Sequence, residues 1–209
     1  MAVDARDFFP ERLDLESLRE AARHCRGCDL WEPATQTVFG EGPEDAPMVL
    51  VGEVPGDRED REGHPFIGPA GRELDKALHA VGIERNEVYI TNAVKHFKFE
   101  ERGKRRIHQR PDAKQVKACR PWLRAELDVV QPEALVVLGA TAAKTLFGSS
   151  FRLMAQRGQP LESDLAPLVI ATIHPSAILR GSDSESRQSQ RELLTEDLRV
   201  VAEALASGR

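Results

Sequence analysis

The segment that most constrains the fold of this chain covers residues 48–82. It opens with an apolar run at residues 48–51, which predicts a buried strand. A loop rich in glycine, proline and carboxylates follows, and apolar residues at helical spacing then predict a helix that ends at Gly82. A loop between a strand and a helix lies at the carboxyl edge of a sheet, where open α/β folds bind ligands. We therefore expect a ligand site here rather than an ordinary connection. This site is not a phosphate-binding P-loop, because the sequence lacks the required Gly-Lys-Ser/Thr.

Three further apolar runs, at residues 88–91, 135–138 and 168–172, predict strands that alternate with helices. This alternation indicates the α/β class. We expect one domain over residues 1–209, a three-layer α/β/α sandwich around a central, mostly parallel four-stranded sheet. Pro121 is expected to kink or divide the helix that contains it.

Composition excludes several classes of protein. The 209 residues include 41% hydrophobic and 30% charged residues, which is typical of a globular domain. No apolar run is long enough to span a membrane, and the N-terminus does not resemble a secretory signal. Three cysteines do not make a disulfide framework. We expect a cytoplasmic monomer with no membrane contact.

The net charge of −5 is unevenly distributed. Residues 95–120 contain ten Lys and Arg against three Asp and Glu, a local charge of +7, so the rest of the chain carries −12. Within this segment, a basic stretch at about residues 100–111 contains Gly103 and few apolar residues, and it is expected to be an exposed inserted loop. Such a patch suits a nucleic-acid backbone, although charge alone favours a solvated loop without a partner.

The cysteines suggest a metal site. Two of them form the motif Cys25-Arg-Gly-Cys28, and Cys119 and His96 follow later in the chain. A Cys-x-x-Cys pair fits a redox site, a zinc site or an iron–sulfur site. No Trp-Cys or strand–turn–helix pattern surrounds it, which argues against a thioredoxin-type site. Two close ligands and two distant ones commonly build a four-ligand metal site. Spacing alone leaves zinc and iron–sulfur both open.

Two motifs resemble those of a known family. Residues 173–180, Ile-His-Pro-Ser-Ala-Ile-Leu-Arg, resemble motif B of the uracil-DNA glycosylase superfamily. The loop after the first strand resembles motif A of the family 4 enzymes, through Gly52-Glu53-x-Pro55-Gly56, Glu59-Asp60, Gly63, Pro65-Phe66 and Gly68-x-Ala70-Gly71.

The resemblance implies a site for a uracil base taken out of the DNA stack. Phe66 would stack on the ring, and Asn92 would read the edge that distinguishes uracil from cytosine. His174 would hydrogen-bond O2 as the base leaves with negative charge. Backbone groups around the loop after Glu53 would hold the other carbonyl. The expected uracil-binding set is Val54, Pro55, Gly56, Asp57, Phe66, Asn92 and His174.

The resemblance also favours a [4Fe–4S] cluster over zinc. Family 4 enzymes usually carry a cysteine where His96 stands, and histidine can replace cysteine as an iron ligand. The expected ligands are therefore Cys25, Cys28, His96 and Cys119.

The basic insertion resembles one branch of the family. Residues 104–108, Lys-Arg-Arg-Ile-His, are similar to the loop of the UdgX branch, in which the loop histidine becomes covalently attached to DNA. His108 would then attack C1′, with Glu53 accepting its proton or orienting its ring. A plain phosphate-contact loop is the alternative interpretation. The expected DNA contacts are Lys104, Arg105, Arg106, Ser176 and Arg180.

One position departs from this branch. Val54 stands where the UdgX branch typically has glutamine and ordinary family 4 enzymes have a small residue. The resemblance implies uracil-containing DNA as the partner, single-stranded or with the base flipped out of a duplex. Two alternatives remain open: an ordinary family 4 glycosylase with multiple turnover, and a metal-containing DNA-binding module without catalysis.

Overall fold

The computed structural model describes residues 4–208 as an α/β fold. None of the helices in this range combines the length and the hydropathy needed to cross a membrane. Short 3-10 turns aside, the elements in chain order are α1 (Leu15–Ala22), β1 (Met48–Gly52), α2 (Asp57–Glu62), α3 (Pro69–Ala80), β2 (Val88–Asn92), β3 (Phe99–Arg102), β4 (Arg105–His108), α4 (Ala113–Val130), β5 (Ala134–Leu138), α5 (Ala140–Phe147), α6 (Leu153–Gln156), β6 (Leu168–Thr172), α7 (Ser176–Leu179) and α8 (Ser184–Ser207).

The central sheet confirms the predicted fold class. Its strands lie in the order β2–β1–β5–β6 and all neighbouring pairs are parallel. In this register Gly52 pairs with Asn92, and Leu138 pairs with Thr172. The carboxyl ends of the strands therefore finish side by side, and every loop that leaves them starts at one edge.

Strand alternation divides the core between the two faces of the sheet. On one face Leu50, Ile90 and Val136 pack against α3 and α8. On the other face Val51, Tyr89 and neighbouring residues pack against α4 and α5. Both faces are thus covered by helices, which explains why each strand of this sheet reads as a continuous apolar run.

Three local expectations were wrong. The basic stretch at residues 100–111 is not an irregular loop, because β3 and β4 form an antiparallel hairpin. Gly103 turns it with φ at 62°, a conformation that favours glycine. The loop after β1 contains the helix α2, which has no apolar face to reveal it in the sequence. Of the two effects expected of Pro121, the division of its helix is wrong, because α4 continues through this residue and the buried residues Trp122 and Leu123 hold its second half against the core.

The turn before α3 brings two backbones into close contact. Phe66 has φ at 53°, which is unusual for a bulky residue. A Cβ on Gly71 would lie 1.6 Å from the carbonyl oxygen of Phe66. Only glycine at residue 71 therefore permits the approach that holds Phe66 in this conformation.

We predict that Gly71→Ala destabilises the protein although alanine favours helices. Overpacking against the Phe66 carbonyl should lower the free energy of unfolding by about 2 kcal/mol or more. Arg72→Ala, at the exposed neighbouring position of α3, is the control and should change the free energy by less than about 0.5 kcal/mol. Chemical denaturation measures both, and an unchanged or raised stability of Gly71→Ala would contradict the proposed contact.

Candidate active site

The expected site residues meet at the carboxyl edge of the sheet. Glu53 directly follows β1, Asn92 ends β2, and His174 lies two residues beyond β6. Because these strands are parallel and in register, their ends deliver the three side chains to one place. The fold therefore supplies the convergence that the sequence predicted.

Two side-chain oxygens at this edge lack partners. Within residues 4–208, Glu53 Oε1 and Asn92 Oδ1 are the buried side-chain polar atoms without a hydrogen bond. A buried polar atom without a partner costs about 1–3 kcal/mol, so such atoms mark places where a ligand supplies the partner. Burial also raises the pKa of the Glu53 carboxyl, against the opposing effects of the Thr141 hydroxyl and Arg110. Glu53 is thus prepared to accept a proton.

The space between these groups depends on Gly52. A Cβ on Gly52 would lie 2.3 Å from Asn92 Oδ1 and 2.6 Å from Phe66 Cζ. The Phe66 ring is buried and lies 5.6 Å from the His174 ring, centroid to centroid, at an interplanar angle of 33°. An aromatic face, an amide and an imidazole therefore come together at this edge. The space between them, called the pocket below, suits a flat heterocycle.

Hydrogen bonds define the protonation state of His174. The backbone N–H of Ser176 donates to His174 Nδ1 at 3.1 Å, and Arg180 Nη1 donates to Ser176 Oγ at 2.8 Å. Because Nδ1 accepts, the ring proton is on Nε2. Burial lowers the pKa of His174 to about 4, and Arg180 and His108 act in the same direction. His174 is therefore a neutral donor that can stabilise a carbonyl oxygen gaining negative charge.

The hairpin places two side chains on the face that meets the rest of the protein. In β4 alternate residues point to opposite sides, so Arg106 and His108 share one face while Arg105 and Ile107 share the other. The His108 ring lies 6.0 Å from the Phe97 ring, centroid to centroid. Arg105 and Ile107 are exposed.

Arg106 anchors this hairpin to α2. Its Nη1 donates to Asp60 Oδ2 at 2.7 Å, and its Nη2 donates to the backbone oxygen of Asp57 at 3.3 Å. The guanidinium carbon also lies 4.9 Å from the centroid of Phe99 and 5.3 Å from that of Phe97. The side chain is only 13% exposed. The expectation that Arg106 binds phosphate therefore needs correction, since the structure commits its guanidinium to internal contacts, whereas Lys104 and Arg105 are exposed.

His108 lies near enough to His174 for its charge to act on the pKa of His174. Its ring is solvent-accessible, but enough protein surrounds it to lower its pKa, and Arg110 and Arg180 act in the same direction against Glu59. Arg180 and His108 also lower the pKa of His174. The lowered pKa keeps His108 neutral near pH 7. A neutral imidazole is what the hypothesis of a loop nucleophile requires.

A comparison with models of protein families shows to which family the chain belongs. The sequence model described as the "Uracil DNA glycosylase superfamily" matches residues 39–199. The chain belongs to the uracil-DNA glycosylase superfamily.

Its relatives in this superfamily include type-4 enzymes. The chain is 33% identical over 199 residues to the Type-4 uracil-DNA glycosylase of Sulfurisphaera tokodaii, covering 90% of this chain and 84% of the relative. It is 36% identical over 175 residues to that of Thermotoga maritima, covering 83% and 88%. It is 34% identical over 199 residues to that of Archaeoglobus fulgidus, covering 90% and 94%.

The side chains of two residues in the expected uracil-binding set contact other parts of the protein instead. The Val54 side chain packs into an apolar cluster that contains Cys25 and Trp122, so only its backbone is left to contact a base. The Asp57 carboxylate forms ion pairs with Arg61 and Arg106. The neighbouring Pro55 is buried and Gly56 is half-buried.

Three of the four expected metal ligands, the cysteines, lie in or against one apolar cluster. Cys25 and Cys119 belong to one apolar cluster, with Cys28 packed against it. Trp122 Nε1 donates to Cys25 Sγ at 3.2 Å, and the backbone N–H of Lys95 donates to Cys119 Sγ at 3.3 Å. Such N–H donors stabilise sulfur when it carries the charge of a metal-bound thiolate.

The fourth expected ligand is neutral. Burial lowers the pKa of His96 to about 4. The Thr37 hydroxyl donates to the backbone oxygen of Ala22 and lies 2.9 Å from His96 Nε2, so it accepts from the ring and leaves Nδ1 free to bind a metal. In the described part of the chain, no three His, Cys, Asp or Glu side chains converge closely enough for a single metal ion. The donor types, three thiols and a neutral imidazole, are nevertheless ones that iron–sulfur proteins use.

Three polar residues near the site were not predicted from the sequence to belong to it. Glu59 Oε1 accepts the backbone N–H of Gly68 at 2.8 Å and so joins α2 to the Phe66 turn. Lys95 and Glu126 form a fully buried ion pair beside Asn92. Glu59 was visible within motif A, whereas Lys95 and Glu126 are 31 positions apart and carried no local signal.

We predict that replacing Arg106 by alanine loosens the hairpin, whereas replacing Arg105 by alanine weakens only its contact with DNA. Arg106→Ala leaves the buried carboxylate of Asp60 without its ion-pair partner, which should speed amide exchange in β3 and β4 by roughly 100-fold. Arg105→Ala should leave this exchange unchanged but reduce the salt dependence of DNA binding by about one ion. Hydrogen exchange and salt titrations separate the two effects. Equal exchange rates in both variants would show that Arg106 is not the anchor.

Proposed function

We propose that this protein excises uracil from DNA, preferably single-stranded, and that His108 then captures the resulting sugar. Membership of the uracil-DNA glycosylase superfamily supports the first step. The observation that carries it is the pair of unpartnered buried oxygens, Glu53 Oε1 and Asn92 Oδ1, at the edge where His174 and Phe66 also meet. A flipped pyrimidine supplies the missing partner of Asn92.

Base recognition follows from the donors and acceptors around that pocket. Asn92 accepts from uracil N3–H with its unpartnered Oδ1 and donates to O4 with Nδ2. Cytosine reverses both roles at this edge and is therefore rejected. Phe66 stacks on the ring, which contributes roughly 1–3 kcal/mol. His174 donates from Nε2 to O2 as the bond between N1 and C1′ breaks and negative charge develops on the base.

The capture step uses the neutral imidazole of His108. One ring nitrogen attacks C1′ of the oxocarbenium-like sugar and forms the new N–C bond. The proton on the other ring nitrogen passes to Glu53, and the uracil anion takes up a proton from water as it departs. A neutral alkylated imidazole is a poor leaving group, so the protein remains attached to the DNA after one turnover.

Three features support capture by His108 rather than by water. The pKa of His108 is lowered, so its lone pair is available near neutral pH. Arg106 ties its strand to α2. The carboxylate of Glu53 is unpartnered on one oxygen and has a raised pKa. Together these provide a nucleophile, an anchored support and a proton acceptor.

One observation favours an ordinary glycosylase with multiple turnover as the second candidate. The side chain at residue 54 is an apolar valine that packs among the cysteines and Trp122 rather than offering a polar group to the pocket. If capture depends on a polar side chain at this position, water completes the reaction instead.

We predict that His108→Ser abolishes a covalent complex that the unchanged protein forms with a uracil-containing single-stranded oligonucleotide. The complex should appear as a slower band on a denaturing gel after heating in detergent. His79→Ser, which replaces an exposed histidine at the end of α3, is the matched control and should retain the band.

Each outcome of this experiment has one meaning. A band that persists in His108→Ser identifies another nucleophile. Free uracil in excess over protein, without a band, indicates the turnover enzyme. Intact uracil-DNA in every sample contradicts glycosylase activity itself.

We also propose that Cys25, Cys28, His96 and Cys119 hold a [4Fe–4S] cluster, with zinc as the alternative. The N–H donors to Cys25 and Cys119 and the free Nδ1 of His96 support this assignment. The cluster would supply a structural cross-link, since these residues join the segment after α1, the loop after β2 and the helix α4.

We predict that anaerobically purified protein is brown and absorbs at about 400 nm, as iron–sulfur proteins do. Cys119→Ser should lose most of this absorbance. His96→Cys is the matched replacement at the fourth position and should retain it, because thiolate is the usual ligand of such clusters. A colourless protein that contains stoichiometric zinc would contradict the assignment.

A further inference from the structure

We propose that Lys95 is a positioning residue for base recognition, because its buried ammonium group holds the peptide carbonyl of Asn92 and thereby directs the amide that faces the base. This inference rests on the proposed role of Asn92 in reading uracil. It assigns a function to a buried ion pair that the reaction itself does not use.

The ammonium group of Lys95 has a complete set of acceptors. Its Nζ donates to the backbone oxygen of Asn92 at 2.8 Å and to Thr91 Oγ1 at 2.6 Å. It also donates to Glu126 Oε2. An ammonium group has three N–H donors, and here all three have a directed partner. The side chain is 1% exposed, so no water competes for these positions.

The partner carboxylate is equally constrained. Glu126 Oε1 accepts from the backbone N–H of Gly40 at 3.0 Å and from the Tyr89 hydroxyl at 3.0 Å. It also accepts from the Thr91 hydroxyl at 2.9 Å. Glu126 lies on α4, whereas Tyr89 and Thr91 lie on β2. The network therefore fixes the end of β2 against α4 through directional bonds.

Stability alone is a weak explanation for this ion pair. Taking two charges out of water costs about as much as their attraction returns, and an apolar pair of similar volume is often equally stable or more so. An apolar pair has no preferred direction, however, whereas an ammonium N–H fixes the orientation of the carbonyl that accepts it. The distinctive contribution of Lys95 is therefore the orientation of the Asn92 peptide group.

The Asn92 side chain has little room to move. Its Oδ1 lies 2.3 Å from the place where Gly52 would carry a Cβ. The backbone beyond it is also held, since Ala93 N–H donates to the Gly52 oxygen at 2.9 Å and Val94 N–H donates to the Glu53 oxygen at 3.0 Å. A rotation of the Asn92 peptide would move its amide away from the base, and a displacement of about 1 Å can cost roughly 100-fold in rate.

A double-mutant cycle tests whether Lys95 acts through Asn92. Lys95→Met/Glu126→Leu removes both charges together, so that no buried charge is left unpaired. Single-turnover uracil excision is measured for this variant with Asn92 present and with Asn92→Ala. We expect a loss of about 10- to 100-fold with Asn92 present, but less than about twofold with Asn92→Ala, because coupled residues are not additive.

Further measurements separate positioning from folding. Thermal unfolding and metal content are determined for each variant, and the backbone N–H that Lys95 donates to Cys119 is unchanged by these substitutions. The chain contains two asparagines, Asn86 and Asn92. Selective ¹⁵N-asparagine labelling should therefore show the side-chain amide signals of Asn92 shifting while those of Asn86 stay. Lys95→Gln/Glu126→Gln keeps a donor to the carbonyl and should recover part of the rate.

The results that overturn the proposal are distinct from those that overturn the proposed function. Equal losses in both Asn92 backgrounds, or no loss in either, would show that Lys95 does not act through Asn92. An unmoved Asn92 signal would do the same, even for a variant of lowered stability. Failure of the unchanged protein to release uracil would instead refute the proposed function.

Discussion

The arrangement of this site depends on the ion pairs between Arg106 and the carboxylates of α2. Asp60 is fully buried and Arg106 is 13% exposed, so the contact is shielded from competing water. Because side chains of a strand alternate, the anchor that fixes Arg106 also fixes the face on which His108 lies. A polar insertion without a core of its own is thereby held beside a pocket formed by the parallel sheet.

The pocket itself concentrates unfavourable features that the rest of the fold compensates. Phe66 adopts a left-handed backbone conformation, Glu53 and Asn92 each carry an unpartnered oxygen, and Lys95 is buried with Glu126. Such costs persist where the surrounding structure over-determines the conformation. Here the sheet, packed on both faces, supplies that constraint. A ligand that completes the missing hydrogen bonds therefore binds to groups already in place.

The sheet could be predicted from the sequence because its strands are buried on both faces and read as uninterrupted apolar runs. The edge site could be predicted because glycine, proline and polar residues follow those runs, as at Glu53 and Asn92. The hairpin could not be predicted, since its two faces are both largely polar and its order comes from Arg106 contacting residues almost 50 positions away. Lys95 could not be predicted as a residue of the site, because lysine is usually exposed and only tertiary contacts reveal its partners.

The central claim is that His108, supported by Arg106, forms a bond to the sugar from which uracil has departed. Intact-mass measurement of the protein after reaction with a uracil-containing oligonucleotide tests it most directly. The account predicts a species whose mass equals protein plus oligonucleotide minus uracil, with fragment ions that place the nucleotide on His108. Protein of unchanged mass beside released uracil, or attachment at a different residue, would contradict it.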